Sequence, residues 1–457
     1  MEEFDVIVIG AGSGLDVASA YASRGQDVAV VEPGPLGGTC LNRGCIPSKM
    51  LIHRADIVET VEDADRFGID AEVEDIEFEK IVEEVNETVA EDARSIKRGI
   101  RDSDHHTLFE SEARFVDEKV VEVDTDSGDA VKITAETIVV AAGSRPMVPP
   151  VDGMEDVDYL TSREALELQE LPEELVVVGG GYIAAELAHF FDRMGSDITI
   201  IEMGDTLIGN EDREIAEKFT GLAQDIWDVN LGLRASRVEE TGGKIRVVAE
   251  DEDGNSHSFA GDELLVAAGR VPNSDRLDVE EAGIETDDRG FIETDEYLET
   301  SVEGVYALGD IAGNWMFKHS ANLEAEYAFR NSLSGNEKPL EYEAMPHAIF
   351  SSPQVAGVGS TEQELEESGQ DYVKATYDYS DTGMGLALKE EDGFVKVLAS
   401  EDGEILGCHI IGPQASSIIH EVLVAMNAGT GHVEDIQDTV HIHPALNEVV
   451  QRAFKRL

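Results

Sequence analysis

Cys40 and Cys45 stand in the segment Gly37-Gly38-Thr39-Cys40-Leu41-Asn42-Arg43-Gly44-Cys45-Ile46-Pro47-Ser48-Lys49. Two thiols so close in the chain can close into a disulfide and reopen, a two-electron chemistry driven by attack of a thiolate on sulfur. A structural zinc site needs four Cys or His ligands in paired spacing. The one remaining cysteine, Cys408, lies in the apolar run Leu406-Gly407-Cys408-His409-Ile410-Ile411 and reads as a core residue. The alternative of two unrelated buried cysteines is disfavoured by the flanking residues, which predict a helix entered near Cys40 with both side chains near one face. The start of such a helix favours a thiolate through its dipole and unpaired N–H groups. Thiol exchange also needs a proton donor for the departing sulfur. His443, with Glu448 five residues on to orient it, supplies that chemistry, although a histidine before Pro444 can equally cap a helix start.

Two Gly-rich turns bracket the chemistry. Val6-Ile7-Val8-Ile9 runs into Gly10-Ala11-Gly12-Ser13-Gly14, and Leu175-Val176-Val177-Val178 runs into Gly179-Gly180-Gly181-Tyr182-Ile183. Such a turn lets the backbone approach a pyrophosphate at a helix N-terminus, and a carboxylate about 20 residues on bonds a ribose hydroxyl. Glu32 stands 22 residues past Gly10, and Glu202 stands 23 past Gly179, each ending a β-rich run. Leu15 and Ala184 occupy the position of the third glycine, which relaxes helix packing and leaves the phosphate turn intact. The duplication predicts two dinucleotide sites, the first using Gly10, Gly12, Ser13, Gly14 and Glu32, the second Gly179, Gly181, Tyr182, Ile183 and Glu202.

These parts need a scaffold of βαβ units, which dominates the first three quarters of the chain. The expected fold is α/β, with two Rossmann-like dinucleotide-binding domains and a C-terminal α+β domain. The first domain is read as 1–150, where Arg145 to Pro150 looks like a linker after the buried strand Ile138 to Gly143. The second is read as 151–270, closing on Leu264 to Arg270. Residues 271–345 carry a further strand-turn-helix, Val305 to Asp310 and a helix from about Ser320, which returns to the first domain. From 346 to 457, meander strands at 372–379, 393–398 and 405–411 precede helices at about 414–428 and 444–455.

Composition narrows the setting. The chain of 457 residues has 97 acidic against 34 basic residues, a net charge of −63 spread along its length. Self-repulsion on that scale destabilises a compact state unless salt screens it, so the expected home is a high-salt, halophilic cytoplasm. Nucleic acid and anionic membranes are excluded as partners by like charge. Three cysteines fit a reducing cytosol. No apolar run reaches the length of a membrane span and the first residues lack a basic leader, so the expected location is cytoplasmic.

The dithiol segment, Gly309-Asp310 and His443-Pro444-Ala445-Leu446-Asn447-Glu448 resemble the signatures of the class I pyridine-nucleotide disulfide oxidoreductases, and they span nearly the whole chain. The resemblance implies a homodimer with FAD-binding, NAD(P)-binding, central and interface domains, using FAD with NADPH or NADH. It implies that Cys45 is the thiol beside the flavin and Cys40 the one that attacks substrate. Lys49 would sit by the flavin paired with Glu186, and Asp310 would hold the ribityl chain or phosphates. Gly38, Thr39, Gly143 and Gly269 complete the cofactor contacts, Tyr182 gates the nicotinamide pocket, and His443 with Glu448 serves the other subunit's disulfide.

Several stretches, among them Lys49 to Asp56 and Tyr182 to His189, resemble the mycothione reductase branch of that family. Together with the acidic surface, this implies a small-molecule disulfide, foremost bis-γ-glutamylcystine. Reductases of that kind take NADPH, whereas Glu202-Met203-Gly204-Asp205 would oppose a 2′-phosphate and favours NADH, which keeps dihydrolipoamide dehydrogenase as an alternative. A flavin-bound redox sensor without turnover needs the dithiol but not the His443–Glu448 pair. Arg43, His53 and Arg54 are open between a place in the pocket and simple solvation.

Dilution from about 1 M to about 0.01 M salt lengthens the screening distance from about 3 Å to about 30 Å. The protein is therefore expected to lose bound cofactor, dissociate or unfold on desalting, as followed by flavin release and light scattering. Full activity after days in low salt would refute the reading of the acidic surface.

Overall fold

Apolar runs without polar alternation, such as Val6 to Ile9, belong to parallel strands buried on both faces. In the computed structural model, which describes residues 1–125, 127–342 and 344–457, that run lies at the centre of a sheet and is at most 3% exposed. The strand Glu2–Ile9 pairs in parallel with Val28–Val31 on one side and Ala130–Val140 on the other. His106–Phe109 extends the sheet past Val28–Val31. Val120–Asp124 and Ala113–Asp117 add an antiparallel extension beyond Ala130–Val140. As expected, the chain returns late to this sheet: Val305–Ala307 pairs in parallel with Ile138 to Val140. The helix Lys318–Ser334 then packs on Gly14–Ala22, where Tyr21 meets Phe329 edge-on at 5.0 Å and bonds Ser332 at 2.6 Å.

This sheet belongs to one of two units, made of Met1–Met50, Lys80–Met147 and Gly269–Glu341; the other comprises Leu51–Glu79, Val148–Ala268 and Tyr342–Leu457. Residues 145–150, expected as a linker, hold the boundary between the units after Met147, and they begin with the end of a short strand. Ser144–Pro146 pairs antiparallel with Arg270–Pro272, so the chain leaves and re-enters the first unit through one ribbon. Proline favours an extended neighbour, and Arg145 locks the ribbon by donating to the Pro272 carbonyl and, through both terminal nitrogens, to Asp275 at 2.8 Å.

The second unit holds a parallel sheet in the order Asp228–Asn230, Asp197–Ile201, Glu174–Val178, Glu263–Val266, beside an antiparallel meander of Arg234–Thr241, Lys244–Glu250 and Ser256–Gly261. It also holds the expected C-terminal antiparallel sheet, with strands at His347–Ile349, Val355–Gly359, Ile405–Ile411, Phe394–Ala399 and Val373–Asp378. The helix expected at 414–428 is broken into Ala415–Ile418 and His420–Ala428, and the last helix starts only at Glu448, because 443–447 form a turn.

An ion cluster is buried in the second unit. The side chains of Lys396 and Asp212 are both fully buried, 2.8 Å apart, and Lys396 also donates to Glu362 at 2.5 Å. Asp212 caps the helix Arg213–Gln224 through the Glu214 N–H, and its second oxygen accepts the Glu362 N–H. Burial pushes the Glu362 carboxyl up, but hydrogen bonds from Lys374, Lys396 and Tyr372 outweigh it and hold the group at about 2. Such a depressed group stabilises the fold fully above the ordinary carboxylate range near 4.3 and ceases to do so as pH falls toward 2. Removing one partner strands a buried charge, so Lys396→Met is expected to cost about 3–5 kcal/mol by equilibrium denaturation in molar salt. A loss near zero would mean that water reaches Asp212.

Candidate active site

Both Gly-rich turns are built alike. Gly10 has φ +103° and Gly179 φ +110°, and a Cβ on either would overlap the carbonyl of the neighbouring strand, at Ala141 and Ala267 respectively. Only glycine takes such a conformation without strain. Each turn feeds a helix, Gly14–Ala22 or Tyr182–Met194, with open space over Gly181 at the second N-terminus. Each acidic residue spans its turn with both oxygens. Glu32 accepts the N–H groups of Ala11 and Gly34 at 2.9 Å, and Glu202 accepts those of Gly180 at 2.5 Å and Gly204 at 2.6 Å. A glycine turn at a helix start, with a fixed carboxylate one strand away, fits a dinucleotide at both turns, and at the second the helix start at Gly181 and Tyr182 is exposed.

The dithiol segment rests on the first turn. The Gly37 N–H donates to Ala11 O at 2.8 Å, and a Cβ on Gly38 would lie 2.6 Å from the Gly12 Cα. Asn42 ties the loop by donating to Leu36 O and Gly38 O at 3.0 Å. The single helix expected here is two: Gly38–Arg43 ends at Gly44, whose φ −148° and ψ −118° break it, and Cys45–Glu62 follows. The cysteines nevertheless meet, because the break folds one helix end against the next start. Both are thiols, Cys40 half-buried and Cys45 exposed. The hydrogen bond shared with Cys45 pushes the Cys40 thiol up, burial and the negative charge of Cys45 add to it, and the cations Lys318 and Lys49 oppose it. Cys40 therefore holds a proton that a base must remove before it can attack sulfur.

In the second unit, His443 Nδ1 lies 3.0 Å from each oxygen of Glu448. An ionised carboxylate only accepts, so Nδ1 carries hydrogen and Nε2 is left to exchange a proton. The His443 side chain is 70% exposed and that of Glu448 9%. The His443 hydrogen bond, then that of Arg452, holds the Glu448 carboxyl below its ordinary range. Glu448 opens the helix Glu448–Phe454, where the N-terminal dipole also favours a carboxylate.

The structure places the other expected residues as follows. Ser13, Gly14, Gly38 and Thr39 lie with the first turn and its docked loop, and Lys49 is on the Cys45–Glu62 helix, one turn past Cys45. Gly143 has φ +66° and Gly269 φ +122°, both beside the ribbon. Tyr182 and Ile183 begin the second nucleotide helix, with Tyr182 45% exposed. Glu186 is buried in the second unit and accepts the Phe350 N–H at 2.9 Å. Asp310 accepts Ser144 Oγ at 2.5 Å, while Arg270 donates to the same Oγ at 2.8 Å and stands 3.6 Å from the carboxylate. Arg43 packs with Glu32 against Gly34, and His53 is exposed. Lys318, Arg270 and Arg452 carry no motif and escape the sequence. Lys318 brings a cation to the first turn by donating to Ser13 Oγ at 2.8 Å, across 305 residues of chain.

Residues 4–325 match the pyridine nucleotide-disulphide oxidoreductase family, and residues 345–454 match its dimerisation domain. The chain is 37% identical to mycothione reductase of Mycobacterium tuberculosis over 99% of both chains. It is 36% identical to dihydrolipoyl dehydrogenase of Halobacterium salinarum, over 98% of this chain and 95% of that one. Among solved structures, the Cu(II) complex of the HOCl-induced flavoprotein disulfide reductase RclA from Escherichia coli superposes with a TM-score of 0.89 at 26% identity, covering all of both chains. No helix among the described residues is long and apolar enough to cross a membrane.

A side chain at Gly179 strains the second turn alone. Gly179→Ala is expected to weaken nicotinamide nucleotide binding about tenfold or more, the effect of a strain of 1–3 kcal/mol, with the first turn still loaded. Titration of NADH against the visible spectrum measures this, and equal loss at both turns would count against their independence.

Proposed function

The chain belongs to the pyridine nucleotide-disulphide oxidoreductases, which use FAD with NAD(P)H to act on sulfur groups, and on that premise we propose that it reduces the disulfide of a low-molecular-weight thiol, foremost bis-γ-glutamylcystine. The observation that carries this reading is the thiol pair docked on the first dinucleotide turn. Full-length likeness to a mycothione reductase supports a small-molecule disulfide, and the net charge of −63 supports a salt-rich setting.

Gly10, Gly12, Gly14, Glu32 and Asp310 would hold FAD, which would supply the electron pair that opens the Cys40–Cys45 disulfide. Thereafter the chain's own groups carry the exchange. Cys45 retains its thiolate while Cys40 gives its proton to Nε2 of His443, supplied by the second chain of a homodimer. The Cys40 thiolate attacks one sulfur of the substrate, forming a mixed disulfide and expelling the other sulfur as a thiolate, which takes the proton from His443. Cys45 then attacks Cys40, restoring the internal disulfide and expelling the second half of the substrate as a thiolate, which takes its proton from solvent. Glu448 keeps the imidazole in the tautomer this requires. Lys49 and Lys318 lower the cost of charge at the thiols. Glu202, tied to its turn, would place a carboxylate against a 2′-phosphate, which favours NADH over NADPH.

A second reading is the reverse chemistry, NAD-dependent oxidation of a dihydrolipoyl group. It is favoured by Glu202 and by the likeness to a halobacterial dihydrolipoyl dehydrogenase. Steady-state assays of the FAD-loaded enzyme in molar salt with bis-γ-glutamylcystine, lipoamide and glutathione disulfide, each with NADH and NADPH, separate the two. Turnover with none of them would favour a redox sensor.

Cys40→Ser is expected to leave a Cys45 thiolate and show a long-wavelength charge-transfer band without reductant, whereas Cys45→Ser abolishes it. Homodimers of Cys40→Ser and of His443→Ala should each be nearly inactive. Mixed dimers, holding one intact site, should recover toward half of wild-type activity. Proven heterodimers without recovery would show that each site is completed within one chain.

A further inference from the structure

Glu448 has a second cationic partner besides His443. Arg452, one turn along the Glu448–Phe454 helix, donates from Nη2 to Glu448 Oε1 at 3.2 Å. Its other terminal nitrogen, Nη1, donates to the Tyr377 hydroxyl at 3.2 Å, from the adjacent strand Val373–Asp378. The Tyr377 ring is itself held, with the Arg456 guanidinium over it at 4.2 Å and Arg456 Nη1 bonded to Thr376 O at 2.8 Å. A relay thus runs from a fixed aromatic ring through Arg452 and Glu448 to His443. Resting on the acid/base reading above, we propose that Arg452 is a positioning residue: held by Tyr377, it squares the Glu448 carboxylate to His443 and offsets part of its charge.

Geometry and charge give this arrangement two effects. One is orientation. Both oxygens of Glu448 lie 3.0 Å from the imidazole Nδ1, and beside a backbone hydrogen bond from Ala445, Arg452 anchors one of those oxygens through its own side chain. The other is electrostatic. An unopposed carboxylate stabilises the imidazolium, so a histidine paired with it alone gives up its proton late; a guanidinium on the same carboxylate moderates that pull. The other charged or titratable groups of the neighbouring elements are paired among themselves or with Arg452: Arg456 with Asp381 at 3.8 Å, Tyr377 on the strand with Arg452, and His441 with Glu421 of the helix His420–Ala428 at 2.7 Å. The start of the short helix Gly383–Leu388 packs on the ring, since a Cβ at Gly383 would meet His443 Cε1 at 3.6 Å. Among these groups, Arg452 bonds the carboxylate directly.

The test is a titration of the His443 imidazole in the holoenzyme labelled at histidine, read by NMR in molar salt, with His443→Ala assigning the signal. Arg452→Met should move the titration upward by about half a pH unit or more, the scale on which one nearby charge acts across a solvated surface. Arg452→Lys, which keeps the charge and loses the fork, should stay within a few tenths of wild type while kcat for NADH-dependent reduction of bis-γ-glutamylcystine falls severalfold. The rate of flavin reduction by NADH, in which His443 has no part, should be unchanged in all. A purely structural role predicts lost stability or dimerisation in Arg452→Met with the titration unmoved, and that result overturns the proposal. If Arg452→Met fails to fold, Tyr377→Phe, which removes only the hydroxyl anchor, should give a smaller upward shift, and no shift there counts the same way. Full turnover of His443→Ala would defeat the acid/base reading instead, while the titration still decides whether Arg452 acts on His443.

Discussion

The Gly38 backbone packs directly on that of Gly12, in a space where a Cβ on Gly38 would lie 2.6 Å from the Gly12 Cα. The contact seats the dithiol loop on the turn that closes the first strand, with the Gly37 N–H on Ala11 O as its fastening. Everything that follows in the loop is set from there. Gly37 and Gly38 supply left-handed turns, Asn42 ties the short helix back, and Gly44 breaks it so that Cys45 opens the next. A methyl group at position 38 would drive the loop off the turn and separate the redox pair from the nucleotide site. The seating of the dithiol loop therefore depends on the absence of a side chain at Gly38, 26 residues along the chain from the glycine it rests on.

The chain has few cations, 34 among 457 residues, and several are placed where a charge has local work to do. Lys318 reaches the first turn and lowers the cost of a thiolate at Cys40. Arg270 backs Asp310 through Ser144, Lys396 neutralises a fully buried Asp212, and Arg452 backs Glu448. The acidic surplus is left to the surface, where salt screens it. High salt suits this division: exposed pairs weaken, while partly buried ones are screened much less.

What could be read from the sequence was local or periodic. Apolar runs ending in glycines locate the two strands that feed the Gly-rich turns, and the spacing of Glu32 and Glu202 locates the carboxylates that clasp those turns, because a βαβ unit fixes that distance. His443 and Glu448 are five residues apart, close enough for a turn to join them. The expected single cysteine helix is two because Gly44 adopts a conformation no helix contains, which the residue pattern around it does not reveal. The linker at Arg145 to Pro150 does hold the unit boundary, but the strand at its start is not legible because its pairing partner, Arg270–Pro272, lies far along the chain. Lys318, Arg270 and Arg452 were invisible for the same reason: a lone cation has no pattern, and its partner is supplied by the fold.

Glu32 and Glu202 engage the backbone with both oxygens, so each carboxylate is a structural clasp of its turn, and any ribose it is to bind must share those oxygens. Cofactor preference is thereby welded to the shape of the phosphate loop. Exchanging Glu202 for a basic residue to welcome a phosphorylated nucleotide would release the Gly180 and Gly204 amides at the same stroke, trading one specificity for a looser grip on any nucleotide. Redesign of such a pocket has to replace the clasp before it can change the charge.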